Sequence, residues 1–349
     1  MWKSAPWRTL FFKKLLRTAE ATVFYRPQRR DGFEKEMEAS IIGYVVGFLL
    51  SFIFVIRSAD YAIEYATRLA RTVGVSEFVI SFLLIGLVSA LPEGSIAIAA
   101  AVDGEPAIAA TSLLASNIGD LLFVFGVVAL FASGLRITTP VIKRELVYLL
   151  VLSLPFLLGF DGVITRVEGG VLLVTGLVFL GSVASDHAVF RTRVKREHVL
   201  SMIKVVVLLL VSLLVMMVSA SFTVSFVSLI AESVSVSPTL IAVFIIGIGT
   251  CLPELLFTIR TLQKNRHDLA LGNILGVVII DGTIMLGIAA LITPLSMTVA
   301  ALQTLGFFTL LGAGVLFYFL KVHRKIEWWE GLVLLMIYSV FSFTQIVLH

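Results

Sequence analysis

From residue 41 almost to its end, the chain alternates long apolar runs with short polar connections. Ten runs are long enough to cross a hydrocarbon layer of about 30 Å, which takes about 20 helical residues. They cover 41–68, 76–100, 106–132, 142–160, 167–188, 202–231, 238–261, 269–293, 298–320 and 328–347, and the first and sixth are the longest. The pattern predicts an all-α integral membrane protein with ten transmembrane helices. Composition agrees: 58% of the 349 residues are hydrophobic and only 14% charged, which excludes an ordinary water-soluble domain. The single cysteine, Cys251, excludes an intramolecular disulfide and supplies no metal-binding cluster.

Charge changes the picture by giving the runs a direction. The formal charge of +4 would raise the question of nucleic acid in a soluble protein, but the bases gather between apolar runs, so lipid and not nucleic acid is the expected partner. Arg68, Arg71, Arg136, Lys143, Arg144, Arg191, Arg193, Lys195, Arg196 and Lys204 follow runs one, three and five, whereas Arg166 is alone after the even-numbered runs. Arg260, Lys264, Arg266, Lys321, Arg324 and Lys325 continue the series after runs seven and nine. The positive-inside rule makes these odd connections cytoplasmic. Residues 1–40 form a basic extension with nine Lys/Arg and five Asp/Glu, which reads either as an amphipathic helix on an anionic membrane surface or as a basic tail. The expected organisation is therefore 1–40 extension, 41–188 first five-helix repeat, 189–201 basic cytoplasmic connection and 202–349 second repeat.

The repeat is visible as self-similarity. At an offset of 161 residues, positions 75–126 align with 236–287 without a gap. Leu91-Pro92-Glu93 meets Leu252-Pro253-Glu254, Ile85-Gly86 meets Ile246-Gly247, Asp120 meets Asp281 and Gly126 meets Gly287. Five runs per copy is an odd number, so the second copy must stand upside down relative to the first. Such inverted repeats place their binding sites near the membrane midplane, where the copies meet. Each mid-run proline deprives a carbonyl four residues earlier of its donor, which is tolerated at membrane depth only inside protein or beside a watery cavity. Ser89 and Thr250 stand four residues before Glu93 and Glu254, on the same helical face, and Ser116 stands four before Asp120.

A carboxylate near the bilayer centre costs about 3 kcal/mol or more unless it is paired, hydrated, protonated or bound to a cation. No Lys or Arg lies near Glu93, Asp120, Glu254 or Asp281 within their own runs, and Arg260 and the Lys264/Arg266 pair fall at a helix end. Carboxylates, hydroxyls and freed carbonyls together make an all-oxygen cage, which suits calcium with its six to eight oxygen ligands. Asp60 and Glu64, one turn apart near the end of the first run, read either as an entrance or as a hydrated helix end beside Arg68.

At these residues the sequence resembles the cation/calcium antiporter superfamily, in particular sodium/calcium exchangers of the prokaryotic type. The second copy, Gly249-Thr250-Cys251-Leu252-Pro253-Glu254 with Gly272-Asn273-Ile274-Leu275-Gly276 and Asp281, follows the family pattern well. The first copy, Val88-Ser89-Ala90-Leu91-Pro92-Glu93 with Ser116 and Asp120, departs further from it. The resemblance implies secondary active antiport of calcium against sodium by alternating access, in a plasma membrane, with no permanently bound cofactor and no enzymatic activity. It implies a cation site built from Glu93, Glu254, Asp120, Asp281, Ser89, Thr250 and Ser116 with carbonyls near Gly86 and Gly247, across which the long first and sixth helices slide. Ala90, Cys251 and Val277 stand where the family carries serine, removing oxygen ligands for sodium. Exchange of calcium, or another divalent ion, for protons is thus the alternative. An intramembrane aspartyl protease using Asp120 and Asp281 is a remote one, because it explains neither the duplicated frame nor the Pro-Glu pairs.

Overall fold

The computed structural model describes residues 33–131, 135–136, 145–187, 199–233, 251–323 and 325–348. Residues 44–349 form one compact unit, and the described part of the preceding segment is the beginning of the first helix. That helix, α1, runs Phe33–Val73, eight residues further back than the apolar pattern predicts. Its apolar part begins at Ile41. The other helices are α2 (Glu77–Ser89), α3 (Leu91–Asp103), α4 (Pro106–Phe131), α5 (Glu145–Leu158), α6 (Arg166–His187) and α7 (Val199–Ser233). After residue 250 come α8 (Leu252–Gln263), α9 (His267–Ile292), α10 (Val299–His323) and α11 (Trp328–Leu348). Six of these are individually long and apolar enough to cross a membrane, and the bent pair α2–α3 makes a seventh. Large apolar side chains such as Leu49, Phe54, Leu150, Val178 and Phe343 face outward, as a lipid-contacting surface requires.

Two packing layers are distinct. The main core joins α2 to α6, α8 to α11 and the short strands around Phe82, Phe125, Tyr148 and Phe179. A second layer is formed by Val55, Ala59, Ala62, Ile63 and Ala66 of α1 with Leu209, Leu213, Met216 and Ala220 of α7, against Ile85, Val88, Phe257 and Leu269. The small side chains on α1 present a shallow relief there.

Two short ribbons and two glycine crossings tie the earlier helices to the later ones. Strands β1 (Leu135–Arg136) and β4 (Lys325–Ile326) pair antiparallel, as do β2 (Val163–Ile164) and β3 (Leu295–Ser296). Allowing a drift of one residue, the 161-residue offset turns one ribbon into the other. Helix α6 crosses α9 where a methyl group on Gly169 would sit 2.6 Å from Ala290 Cβ and 3.0 Å from the Gly287 carbonyl. Helix α11 crosses α4 where a methyl on Gly331 would sit 2.6 Å from Ala129 Cβ and 2.7 Å from the Gly126 carbonyl. Small residues let membrane helices approach this closely, and dispersion then holds them.

Candidate functional site

The Pro-Glu elements begin helices instead of interrupting them. Between α2 and α3 the axis bends by 42°. Ala90 (φ −72°, ψ −10°) is the hinge, and Pro92 occupies the first turn of α3. Cys251 (φ −84°, ψ 3°) precedes α8 in the same way, with Pro253 in its first turn. This differs from a proline buried in mid-helix: at the first turn a missing N–H removes no intrahelical bond. Glu93 and Glu254 therefore sit at the positive ends of two helices, where a carboxylate is favoured.

Both aspartates lie in π-helical turns, Asp120 within Gly119–Val124 and Asp281 within Ile280–Met285. A third such turn, Ser81–Ile85, lies in α2. One extra residue per turn re-aims the side chains around it, and π turns gather at functional sites. Close backbone packing fixes the frame. Methyls on Gly272 and Gly276 would fall 2.6 Å from the Phe78 carbonyl and 2.5 Å from the Phe82 carbonyl, and Ser81 Oγ donates to the Leu269 carbonyl at 2.5 Å. Helices α4 and α9 are joined where Asn117 Nδ2 donates to the carbonyl of Val278, 161 residues further on, at 3.1 Å.

The four acids share one buried region without closing on a single point. Glu254 lies within Coulombic reach of Glu93, Asp120 and Asp281, and Asp281 within reach of Glu93 and Asp120. All four are buried, and among the described residues none forms an ion pair. Five of their oxygens have no hydrogen-bond partner: Glu93 Oε2, Asp120 Oδ1, Glu254 Oε2 and both of Asp281. A buried polar atom left this way costs about 1–3 kcal/mol, and more when charged. Buried oxygen atoms without a fixed counter-charge are the chemistry that a cation site requires. Among the described residues, no three acids, histidines or cysteines converge as a metal-ligating group. Beside the carboxylates, the region also offers hydroxyl, amide and carbonyl oxygens.

Of those, Ser89 is fully enclosed, with its Oγ 3.4 Å from Asn273 Oδ1. Ser116 is half-buried and donates to the Leu113 carbonyl at 2.9 Å, so its lone pairs are what it has left. The Gly86 carbonyl accepts the Ala90 N–H at 2.9 Å, while the Gly86 Cα packs on Gly276 so closely that a methyl would come within 3.0 Å of its backbone. Thr250 and Gly247 lie outside the described residues. Three further polar residues belong to the same buried region: Asn117 and Thr258, each with an unpartnered oxygen, and Asn273, with an unpartnered Nδ2. Thr258 was legible as the residue four after Glu254, on its helical face. Asn117, three before Asp120, and Asn273 carried the general signal of a polar side chain in mid-span. The Cys251 thiol is hydrogen-bonded to Asp120, and a methyl on Gly119 would touch its Sγ at 2.8 Å.

Outside this region, Asp60 is an anchor: its carboxylate pairs with Arg260 at 2.6 Å and Lys264 at 2.9 Å. Glu64 pairs with Arg68 within α1.

Comparison with known proteins follows the same residues. The family model for the sodium/calcium exchanger protein matches residues 43–183 and 204–347. The inner membrane protein YrbG of Escherichia coli is 31% identical over 263 residues, covering 72% of this chain and 79% of its own length. The sodium/calcium exchanger MaX1 of Methanosarcina acetivorans is 24% identical over 340 residues, covering 84% and 95%. Among solved structures, that of the sodium-calcium exchanger NCX_Mj superposes with a TM-score of 0.74 at 27% identity, covering 86% of this chain and 98% of that one. Since the matched segments take in both Pro-Glu elements and all four acids, this multi-pass membrane chain belongs to the sodium/calcium exchanger family of cation antiporters.

Proposed function

We propose that the protein exchanges calcium for sodium across a cell membrane by alternating access. The cation site is drawn from Glu93, Asp120, Glu254 and Asp281, and Ser89, Ser116, Thr250 and carbonyls near Gly86 and Gly247 supply its further oxygens. The observation that carries this reading is the set of buried carboxylate oxygens without partners: four acids repel one another until a mobile positive charge joins them. The same oxygens serve either ion, and that competition enforces exchange.

The architecture we infer is ten spans in two inverted five-span copies, 41–188 and 202–349, joined by the basic stretch 189–201 and preceded by the 1–40 extension. The equivalent ribbons and equivalent glycine crossings support the inverted arrangement. The separate Ala-rich layer of α1 and α7 supports the sliding of these long helices across a fixed core of α2–α4, α8 and α9. Proton-driven exchange is favoured by one observation: Val277, fully buried in α9, and Ala90, equally buried at the hinge, offer no hydroxyl to a sodium ion.

Calcium uptake into liposomes holding purified protein, with outward sodium and outward proton gradients imposed separately, tests the reading. Sodium-driven uptake is expected. Uptake driven by protons alone replaces sodium as the coupling ion, and no uptake by correctly inserted protein under either gradient overturns the calcium assignment.

A further inference from the structure

A second polar feature lies away from the acids, where the C-terminal end of α1 meets the turn between α8 and α9. A pocket of about 340 Å³ opens there, lined by Arg68, Arg71, Lys264 and Arg266 with Glu64 and Thr67. Its volume falls in the range of ligand sites, about 300–1,000 Å³. Bases at a helix end near a membrane surface need no ligand to explain them, so the case rests on how these are satisfied. Arg68 pairs with Glu64 at 2.5 Å, Arg266 with Glu77 at 2.7 Å, and Lys264 shares Asp60 with Arg260. Arg71 forms no ion pair among the described residues. The pocket lining itself carries four basic side chains against one acid, Glu64.

Thr67 is the independent sign. Its side chain is only 8% exposed, it lines the pocket, and its Oγ1 has no hydrogen-bond partner. A buried hydroxyl in that state asks for an acceptor. The turn opposite is held rigidly. Asn265 adopts a left-handed conformation (φ 55°), the Asn265 N–H donates to the Leu262 carbonyl and the Arg266 N–H to that of Thr261, both at 2.9 Å. This closed turn places Lys264 and Arg266 on either side of one residue. Forked guanidinium donors, an ammonium group and a hydroxyl around one concavity suit a group with several anionic oxygens.

We propose that this pocket binds a phosphate-bearing anion, which ties α1 to the α8–α9 turn. The phosphate can come from a lipid headgroup or from solution, and binding does not depend on which cations the protein exchanges. The test uses the full-length protein in phosphatidylcholine nanodiscs, with phosphatidylglycerol added to the bilayer or inorganic phosphate added to the buffer. The readouts are the thermal unfolding midpoint and, for lipid, retention in native mass spectrometry. The expected result is a raised midpoint with at least one ligand, and about tenfold weaker binding in both Arg71→Gln and Thr67→Val, in line with the loss of one charge-assisted hydrogen bond. Protection by phosphatidylglycerol alone assigns a lipid headgroup; protection by inorganic phosphate assigns a soluble source. Arg71 is exposed and Thr67→Val keeps its volume, so both variants should unfold near the wild-type midpoint without ligand. No protection of the wild type by either ligand, or a wild-type response in either variant, overturns the site.

Discussion

The turn after the first Pro-Glu helix and the turn after the second share a backbone and oppose each other in charge. Asp103-Gly104-Glu105 closes α3, and Lys264-Asn265-Arg266 follows α8, each 161 residues from its counterpart. Gly104 (φ 81°) and Asn265 (φ 55°) both take the left-handed conformation that closes a helix. In both turns the next N–H reaches back five residues, Glu105 to the Ala100 carbonyl at 2.8 Å and Arg266 to that of Thr261 at 2.9 Å. The backbone of the unit is thus specified by one conformational demand, while its charge is free to answer to which side of the membrane it faces. Acid on one turn and base on the other is what inverted copies under the positive-inside rule would carry.

The buried acids extend the comparison. Asp281 leaves both oxygens unpartnered, whereas Asp120 has the Cys251 thiol on it. The largest expected asymmetry follows: Asp281→Asn should weaken calcium binding by about 1,000-fold and Asp120→Asn by about 30-fold, since loss of a buried charged partner costs about 2–5 kcal/mol. Equilibrium binding measured on both variants checks it, and equal losses would show the thiol to be irrelevant. Next in size, Gly276→Ala should destabilise the protein by about 1–3 kcal/mol, because its methyl meets backbone at 2.5 Å. Gly119→Ala meets a side-chain sulfur that can turn away, so its effect on the unfolding midpoint should be smaller.

A smaller effect separates the hinges. Cys251→Ser puts back a hydroxyl beside Asp120 and should strengthen sodium's competition against calcium by about fivefold, roughly 1 kcal/mol. Sodium titration of calcium binding reads this directly, and an unchanged competition would place sodium elsewhere. Smallest of all, Asn265→Gly copies the first turn into the second and should stabilise by about 0.5 kcal/mol, while Asn265→Ala should destabilise by about 1 kcal/mol. Denaturant unfolding in detergent distinguishes the two.

Much of this was legible in the sequence for reasons that are physical. Hydrocarbon thickness sets the length of apolar runs, so the described helices lie close to the runs that predict them, while the part of the run 238–261 before Cys251 lies outside the described residues; a duplicated chain repeats its acids at a fixed offset. What could not be read was geometry decided by packing. The break falls at Ala90, two residues before Pro92, because a proline fits the first turn of a new helix better than the middle of an old one. The π turns around Asp120 and Asp281 add one residue to a helical turn without any compositional mark. Asn117 looked like any polar residue in a span until its amide was found on the Val278 carbonyl. Helix α1 begins at Phe33, well before its apolar stretch, since the polar residues there are compatible with helix and hydropathy does not see them.

The central claim is that Glu93 and Glu254, at the starts of two helices related by the repeat, hold one transported cation between them. Calorimetric titration of calcium into the purified protein, beside Glu93→Gln and Glu254→Gln, tests it most directly. One saturable site in the wild type, weakened about 100-fold or more by either substitution, is the predicted result. Calcium binding that survives either substitution unchanged would contradict the account.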